Sequence, residues 1–170
     1  MCVGVLAICA GAVVSCGLSK LTPEEKAARR AAEEQTIREA VIHRHYRISV
    51  SSMTPLRAET FYISGPWITV DSTTVECSVP YLGRDDMPHF KTRGEMRMDS
   101  KLEFKAETED YLVELNPEDQ SILVSFKTSF RGSDYTFHIT IDNISQARVR
   151  VIPSDRDEIT YEGTVYASER

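Results

Sequence analysis

The sequence has little of what several large classes of protein need. It has no basic excess, because 20 Lys and Arg stand against 26 Asp and Glu, which gives a net charge of −6. Phosphate binding needs a basic surface, so we expect no nucleic-acid partner. The chain also has no apolar run as long as the about 20 residues that a membrane-spanning helix needs.

Cysteine is scarce where a folded domain would use it. The chain has four cysteines, and three of them, Cys2, Cys9 and Cys16, fall within the first 16 residues. Only Cys77 remains in the body of the chain, which excludes an intramolecular disulfide there. Strand-like alternation places Cys77 on the same face as Val75 and Val79. We therefore predict a buried structural thiol at Cys77 and not a catalytic nucleophile.

A short apolar segment occupies residues 3–15, and Val13-Val14-Ser15-Cys16 at its end has the form of a lipobox. The segment predicts a lipoprotein signal peptide over residues 1–15, lipidation of Cys16 and a tether over residues 16–21. No Lys or Arg precedes the apolar run, so an atypical signal or an earlier start of the chain stays open. The alternative is a buried apolar element at the N-terminus of a protein that is not exported.

Acylation of Cys16 with more than one chain would anchor the protein stably in a membrane. The residues after Cys16 contain no acidic run of the kind that often marks surface export of lipoproteins. We therefore expect an outer-membrane lipoprotein of the cell envelope that faces the periplasm, with the lipid on Cys16 as its contact with the membrane.

A helix start follows the tether. Thr22 is a good N-cap, Pro23 suits the first helical position and Glu25 completes a capping box. The pattern predicts a helix over residues 22–42, solvated in its first half, where the apolar stripe consists of alanines, and docked in its second half, which carries Ile37 and Val41.

From residue 43 to residue 166 the hydrophobic period is two, which predicts half-buried strands. Tyr135, Phe137, Ile139 and Ile141 show the alternation most clearly. Turn signals separate the strands by distances too short for crossover helices. The predicted fold is mainly β: an N-terminal helix followed by a curved antiparallel meander of about nine strands, barrel-like or a sandwich. Its predicted core comprises Tyr46, Ile48, Phe61, Ile63, Val79, Tyr81, Phe104, Phe126, Phe137 and Ile139.

Several segments resemble a known family in the right order. Val79-Pro80-Tyr81-Leu82-Gly83-Arg84 is similar to the Leu-Pro-Tyr-Phe-Gly-Arg signature of a Bacteroidetes lipoprotein and secreted-protein family catalogued as domain of unknown function 4251. Further similar pieces are Thr60-Phe61-Tyr62-Ile63, Glu109-Asp110-Tyr111, the segment 135–141, and Ile159-Thr160-Tyr161-Glu162-Gly163. The resemblance covers about residues 44–165. It implies an envelope location and a β-rich domain, and it implies no activity.

One long stretch without periodicity, residues 83–94, is of a size that is often functional in a compact domain. We predict that it forms the rim of a ligand site in a non-enzymatic β domain, which binds a small ligand or an unknown envelope protein and needs no cofactor or metal. The candidate rim residues are Trp67, Tyr81, Arg84, Asp85, Asp86 and His89.

Two alternatives remain open at this stage. His43 and His45, if both are on one strand, face the same way, and the loop with Asp85 and His89 could supply further ligands for a metal-dependent hydrolase. The second alternative is a structural subunit of an envelope assembly, which an exposed apolar patch or an open edge strand would distinguish from a pocket-bearing protein.

Overall fold

A computed structural model describes residues 22–83, 89–90, 96–97, 100–142 and 145–168. Within these residues the chain forms one α-helix and a large antiparallel sheet. None of the described helices combines the length and the hydropathy needed to cross a membrane.

Helix α1 spans Pro23–Ile42 and begins at the predicted capping box. The backbone N–H of Glu25 donates to the Thr22 hydroxyl (3.2 Å), and the backbone N–H of Thr22 donates to the Glu25 carboxylate (2.7 Å). His43 is the C-cap, and Arg44 takes a positive φ of 59° that turns the chain into the first strand. The helix prediction and its start are thereby confirmed.

Twelve strands follow, and every described pair is antiparallel. They are β1 (His45–Pro55), β2 (Phe61–Tyr62), β3 (Trp67–Asp71), β4 (Thr74–Pro80), β5 (His89–Phe90), β6 (Met96–Arg97), β7 (Lys101–Glu107), β8 (Glu109–Leu115), β9 (Ile122–Phe130), β10 (Ser133–Ile141), β11 (Gln146–Pro153) and β12 (Ile159–Ala167). Nine of them form the main sheet in the order β7-β4-β3-β1-β12-β11-β10-β9-β8, β2 pairs with β1, and β5 pairs with β6 alone.

The sheet curves until its two edges nearly meet. Its edge strands β7 and β8 are consecutive in sequence and only Thr108 separates them. The far half of β9 lies beside β7: the Thr128 hydroxyl donates to the carbonyl of Glu107 (2.7 Å), and the rings of Phe104 and Phe130 stack with centroids 5.2 Å apart. The predicted β fold is confirmed, in its barrel-like form and not as a sandwich.

Side chains fill the interior of this barrel. Alternate residues of each long strand point inward, as in β10, where Tyr135, Phe137, Ile139 and Ile141 are all buried. Rings stack between neighbouring strands, with centroids 4.8 Å apart for Phe126 of β9 and its partner Phe137 of β10. All the predicted core residues are buried except Phe61 and Ile63, which are partly buried and pack against the core.

Gly163 is needed where β1 and β12 come closest. The register of the two strands shifts between Val50 and Ser52, and this bulge brings the β1 backbone against Gly163. A Cβ at Gly163 would overlap the carbonyl oxygen of Ser49 and lie 3.0 Å from the Cα of Val50. Because both neighbours are backbone, only glycine fits at this position.

Candidate functional site

Tyr81 lies inside the barrel and not on an open rim. Its side chain is 2% exposed, and its hydroxyl donates to the carbonyl of Asp157 (2.7 Å). The guanidinium of Arg156 lies 5.4 Å from the centroid of its ring. These contacts fix the ring between β4 and the connection before β12, so Tyr81 serves the core.

Trp67 begins β3 at the same end of the barrel. It is half-buried and pairs with Ser78 of β4, and the guanidinium of Arg47 lies over its ring at 4.8 Å from the centroid. A cation over an indole face is a stabilising contact. Trp67 therefore has one face covered by its own chain.

The rest of the predicted rim belongs to the loop. Arg84, Asp85 and Asp86 lie outside the described residues. His89 begins β5, where its backbone pairs with Arg97, and its side chain is not described. The ligand rim proposed from sequence thus stays a prediction.

The two histidines of the metal alternative do not share a strand. His43 caps the helix, while His45 begins β1 and its Nδ1 lies 2.8 Å from a carboxylate oxygen of Asp71. The left-handed Arg44 between them breaks the alternation that would aim both rings the same way. Across the described ranges, no three His, Cys, Asp or Glu residues form a group that could hold a metal ion.

Cys77 is buried, as predicted, with 2% of its surface exposed. Its thiol lies 3.6 Å from the carbonyl of Leu102, in donating geometry. Burial raises the pKa of the Cys77 thiol to about 12. A neutral, buried thiol is a poor nucleophile, so the structure supports a packing role for this residue.

Buried hydroxyls close both ends of the barrel. Next to the helix, the Tyr111 hydroxyl donates to the carbonyl of Val41 (3.0 Å) and lies 3.3 Å from the Tyr46 hydroxyl. The guanidinium of Arg44 lies over the Tyr111 ring. Burial raises the pKa of Tyr46 well above its ordinary value, and Tyr111 raises it further. At the other end the Tyr161 hydroxyl donates to the carbonyl of Pro80 (2.9 Å).

Every buried side-chain nitrogen or oxygen of the described residues has a hydrogen-bond partner. In that part of the chain, no buried side-chain polar atom therefore needs a ligand to complete its hydrogen bonding. Stacked rings and hydrogen-bonded hydroxyls thus occupy the part of the interior that the structure describes.

A groove that no sequence pattern predicts lies on the outside of the barrel, between α1 and β12. Its volume is about 680 Å³, and its walls are Arg29, Ala32, Glu33, Thr36 and Ile37 of the helix with Ser145, Thr164, Val165, Tyr166 and Ala167. Towards the C-terminal end of the helix, the buried Val41 packs into the core and holds the helix against the barrel. The groove exists because both walls carry small side chains, Ala32 and Ala167, too short to fill the space between them.

The polar groups that line this groove, which we call the α1–β12 groove, are largely engaged within the chain. Arg29 pairs with Glu33 (2.9 Å), and the Thr36 hydroxyl donates to the carbonyl of Ala32 (2.8 Å). The hydroxyl of Thr164 accepts from the Gln146 amide (3.3 Å). The groove therefore offers mainly apolar contact. The thinning of the helical stripe to alanine is the one sequence signal that could have suggested it.

Comparison with known proteins identifies a family and a fold. A family model described as Domain of unknown function (DUF4251) matches residues 28–165. A crystal structure of a DUF4251 family protein from Bacteroides eggerthii DSM 20697 has a TM-score of 0.61 and 14% sequence identity to this chain, and the match covers 81% of this chain and 91% of that one. At this identity the likeness shows the fold alone. None of the curated proteins matches the chain.

Proposed function

The chain belongs to the family described as domain of unknown function DUF4251, and we propose that it is a membrane-anchored lipoprotein of the cell envelope whose β domain binds an acyl chain in the α1–β12 groove and catalyses no reaction. The observation that carries the proposal is the groove itself, a concavity between α1 and β12 with mainly apolar contact surface. Its volume of about 680 Å³ lies within the range of small-molecule sites.

The backbone of β12 favours an acyl chain over a peptide. β12 is hydrogen-bonded to β1 on one side and to β11 on the other, so an extended peptide cannot add to it as a strand. The engaged side chains of Arg29, Glu33, Thr36 and Thr164 leave little for directional recognition. An occupant held by apolar contact alone fits these walls best.

The predicted lipid anchor supports the same occupant. Residues 16–21 span at most about 20 Å when extended, and Arg29 lies about 10 Å beyond Thr22 along the helix. An acylated Cys16 would therefore keep the groove within about 30 Å of the membrane, where acyl chains are abundant. Burying ten methylenes contributes at most about 8 kcal/mol, which corresponds to a dissociation constant on the order of 1 μM before ordering costs.

The anchor is tested by Cys16→Ala in the expressed full-length chain. We expect the variant to leave the membrane fraction and to lose incorporation of labelled palmitate. Cys9→Ala, in the same apolar segment, is the matched control and should keep both. A Cys16→Ala chain that still carries label would contradict the assignment of the lipidation site.

The groove is tested with a diazirine-bearing palmitic acid, on the full-length protein in lipid nanodiscs. Irradiation should attach the probe to α1 and β12. Ala32→Trp fills the groove and should lower the yield on these two elements about tenfold. Ala31→Trp makes the same exchange one residue away, outside the groove, and should leave the yield within about twofold. Equal yields for the two variants would refute binding in the groove.

A further inference from the structure

Strand β8 presents an open backbone edge beside exposed leucines. On one side it pairs with β9, and on the other side no described strand pairs with it. Leu112 is 58% exposed and Leu115 is 52% exposed, and Leu123 of β9 pairs with Glu114, on the same face of the sheet as Leu112. We call Leu112–Leu115 together with Leu123 the β8 edge surface.

The ladder shows which backbone groups are open. The backbone N–H of Asn116 donates to the carbonyl of Ser121 (2.9 Å), so these two residues form a hydrogen-bonded pair. In an antiparallel ladder such pairs recur every second residue, which places Glu114 in the next one. The backbone groups of Val113 and Leu115 therefore point away from β9, to the open side.

Strand β8 and its flanking residues are acidic. Residues 107–119 contain six acidic residues and no Lys or Arg. Among the described ion pairs only Asp110 of these six has a partner, Lys127, at 3.0 Å. Glu109, Glu114 and Glu118 are exposed. An occupant of this edge must therefore be compatible with an acidic surface.

We propose that the β8 edge surface docks a basic, extended segment of a partner protein, which adds to the sheet as a further strand beside β8. The open groups of Val113 and Leu115 supply main-chain hydrogen bonds. Side chains alternate along a strand, so one face of the added strand meets Val113 and Leu115, and the other meets Leu112 and Glu114. Apolar side chains suit the first face, and Lys or Arg suits the second, where the Glu114 carboxylate attracts the charge and Leu112 contacts the apolar stem. A second copy of the chain is the poorer occupant, because it would bring an equally acidic edge to this one. The proposal goes beyond binding in the α1–β12 groove and does not depend on it.

The test uses the full-length protein in neutral phosphatidylcholine nanodiscs and a fluorescent (Lys-Val)4 peptide as the probe. Amide hydrogen exchange is measured with single-residue resolution. We expect the peptide to slow exchange at Val113 and Leu115 at least tenfold and to leave Glu114, already bonded to β9, within about twofold. The acidic control peptide (Glu-Val)4 should leave amide exchange at Val113 and Leu115 unchanged.

A charge-matched pair of variants separates this edge from general electrostatics. Leu112→Lys with Glu114→Lys should weaken binding of (Lys-Val)4 at least tenfold. Leu56→Lys with Glu59→Lys makes the same exchange at another exposed surface and should leave binding within about twofold.

Four results of the binding experiments would overturn the proposal. These are no binding at millimolar (Lys-Val)4, equal binding of the acidic twin, equal weakening by the two variants, and protection that omits Val113 and Leu115. Sedimentation that shows a dimer, dissociated by Leu112→Lys with Glu114→Lys, would assign the edge to a second copy of the chain and would overturn it as well.

Discussion

The interior of the barrel and its outer surface differ in how many of their apolar and hydrogen-bonding groups have partners within the chain. Inside, rings stack in contact and the hydroxyls of Tyr46, Tyr111 and Tyr161 have partners. Outside, the α1–β12 groove is an apolar concavity, and β8 has an edge with which none of the described strands pairs. This difference leads us to expect that the interior provides stability and that the proposed binding takes place on the exterior. Substitutions should therefore separate stability from binding.

The largest loss of stability should come from Gly163→Ala. The added methyl meets backbone atoms of Ser49 and Val50, which cannot rotate away as a side chain would. We expect a loss of about 3 kcal/mol, at the upper end of what an extra methylene in a packed core costs. Urea unfolding measures it. The control is Ala147→Gly, which removes a methyl from the residue that pairs with Gly163 in β11. This variant should lose less free energy of unfolding than Gly163→Ala. Gly132→Ala would not serve, because Gly132 has a positive φ. Equal losses would contradict the close approach of β1 and β12.

The next largest loss of stability should come from removing the buried hydroxyl of Tyr161. Tyr161→Phe leaves the carbonyl of Pro80 without its donor and should cost about 1–2 kcal/mol in the free energy of unfolding. Tyr62→Phe removes the same atom from a side chain that is 89% exposed and should change stability by less than about 0.5 kcal/mol. Indistinguishable unfolding midpoints for the two variants would argue that the interior is not tightly packed.

The free energy of unfolding should also fall at alkaline pH, because burial raises the pKa of the Cys77 thiol in the interior. Burial raises the pKa of Cys77 from 9.0 to about 12, so above pH 9 the unfolded chain releases this proton while the folded chain keeps it. The thiol's contribution is complete below pH 9 and is lost as pH rises towards 12, with a slope of up to about 1.4 kcal/mol per pH unit.

Urea titrations between pH 8 and pH 10 measure this slope. Cys77→Ala should flatten the part of it that begins near pH 9. The buried tyrosines would still contribute at higher pH, because burial raises the pKa of Tyr46 and of Tyr161 well above 10.0. An unchanged slope in Cys77→Ala would contradict the buried, neutral thiol.

The smallest effects on stability should come from the exterior. Ala32→Trp in the groove, and Leu112→Lys with Glu114→Lys on the β8 edge surface, alter exposed side chains. We expect changes in the free energy of unfolding within about 0.5 kcal/mol for each. Thermal unfolding scans measure them. A large destabilisation would mean that these surfaces serve the fold and not recognition.

Local patterns predicted much of the fold. The capping box at Thr22 located the start of the helix, and strict alternation in residues 135–141 located a strand and its buried face. The burial of Cys77 followed from the same alternation. These features depend on near neighbours in sequence, which is why one sequence sufficed.

The surfaces could not be predicted in this way, because they depend on distant pairings. The α1–β12 groove joins Ala32 to Ala167, and the open side of β8 results from where the curved sheet closes. Local pattern located the end of the helix at Ile42 but not the conformation that follows, because His43 caps the helix and the strand begins only at His45. The hydroxyl of Tyr81 finds Asp157, 76 residues away, which no spacing rule anticipates.

The central claim, that the barrel is filled and binds from outside, is tested most directly by the positions of the adducts that the diazirine-bearing palmitic acid forms. Mass spectrometry of the irradiated full-length protein in nanodiscs locates them residue by residue. We predict adducts on Ile37, Tyr166 and neighbouring groove residues, and none on the interior residues Phe126 and Phe137. Adducts on those two rings would show a chain inside the barrel and would contradict the account.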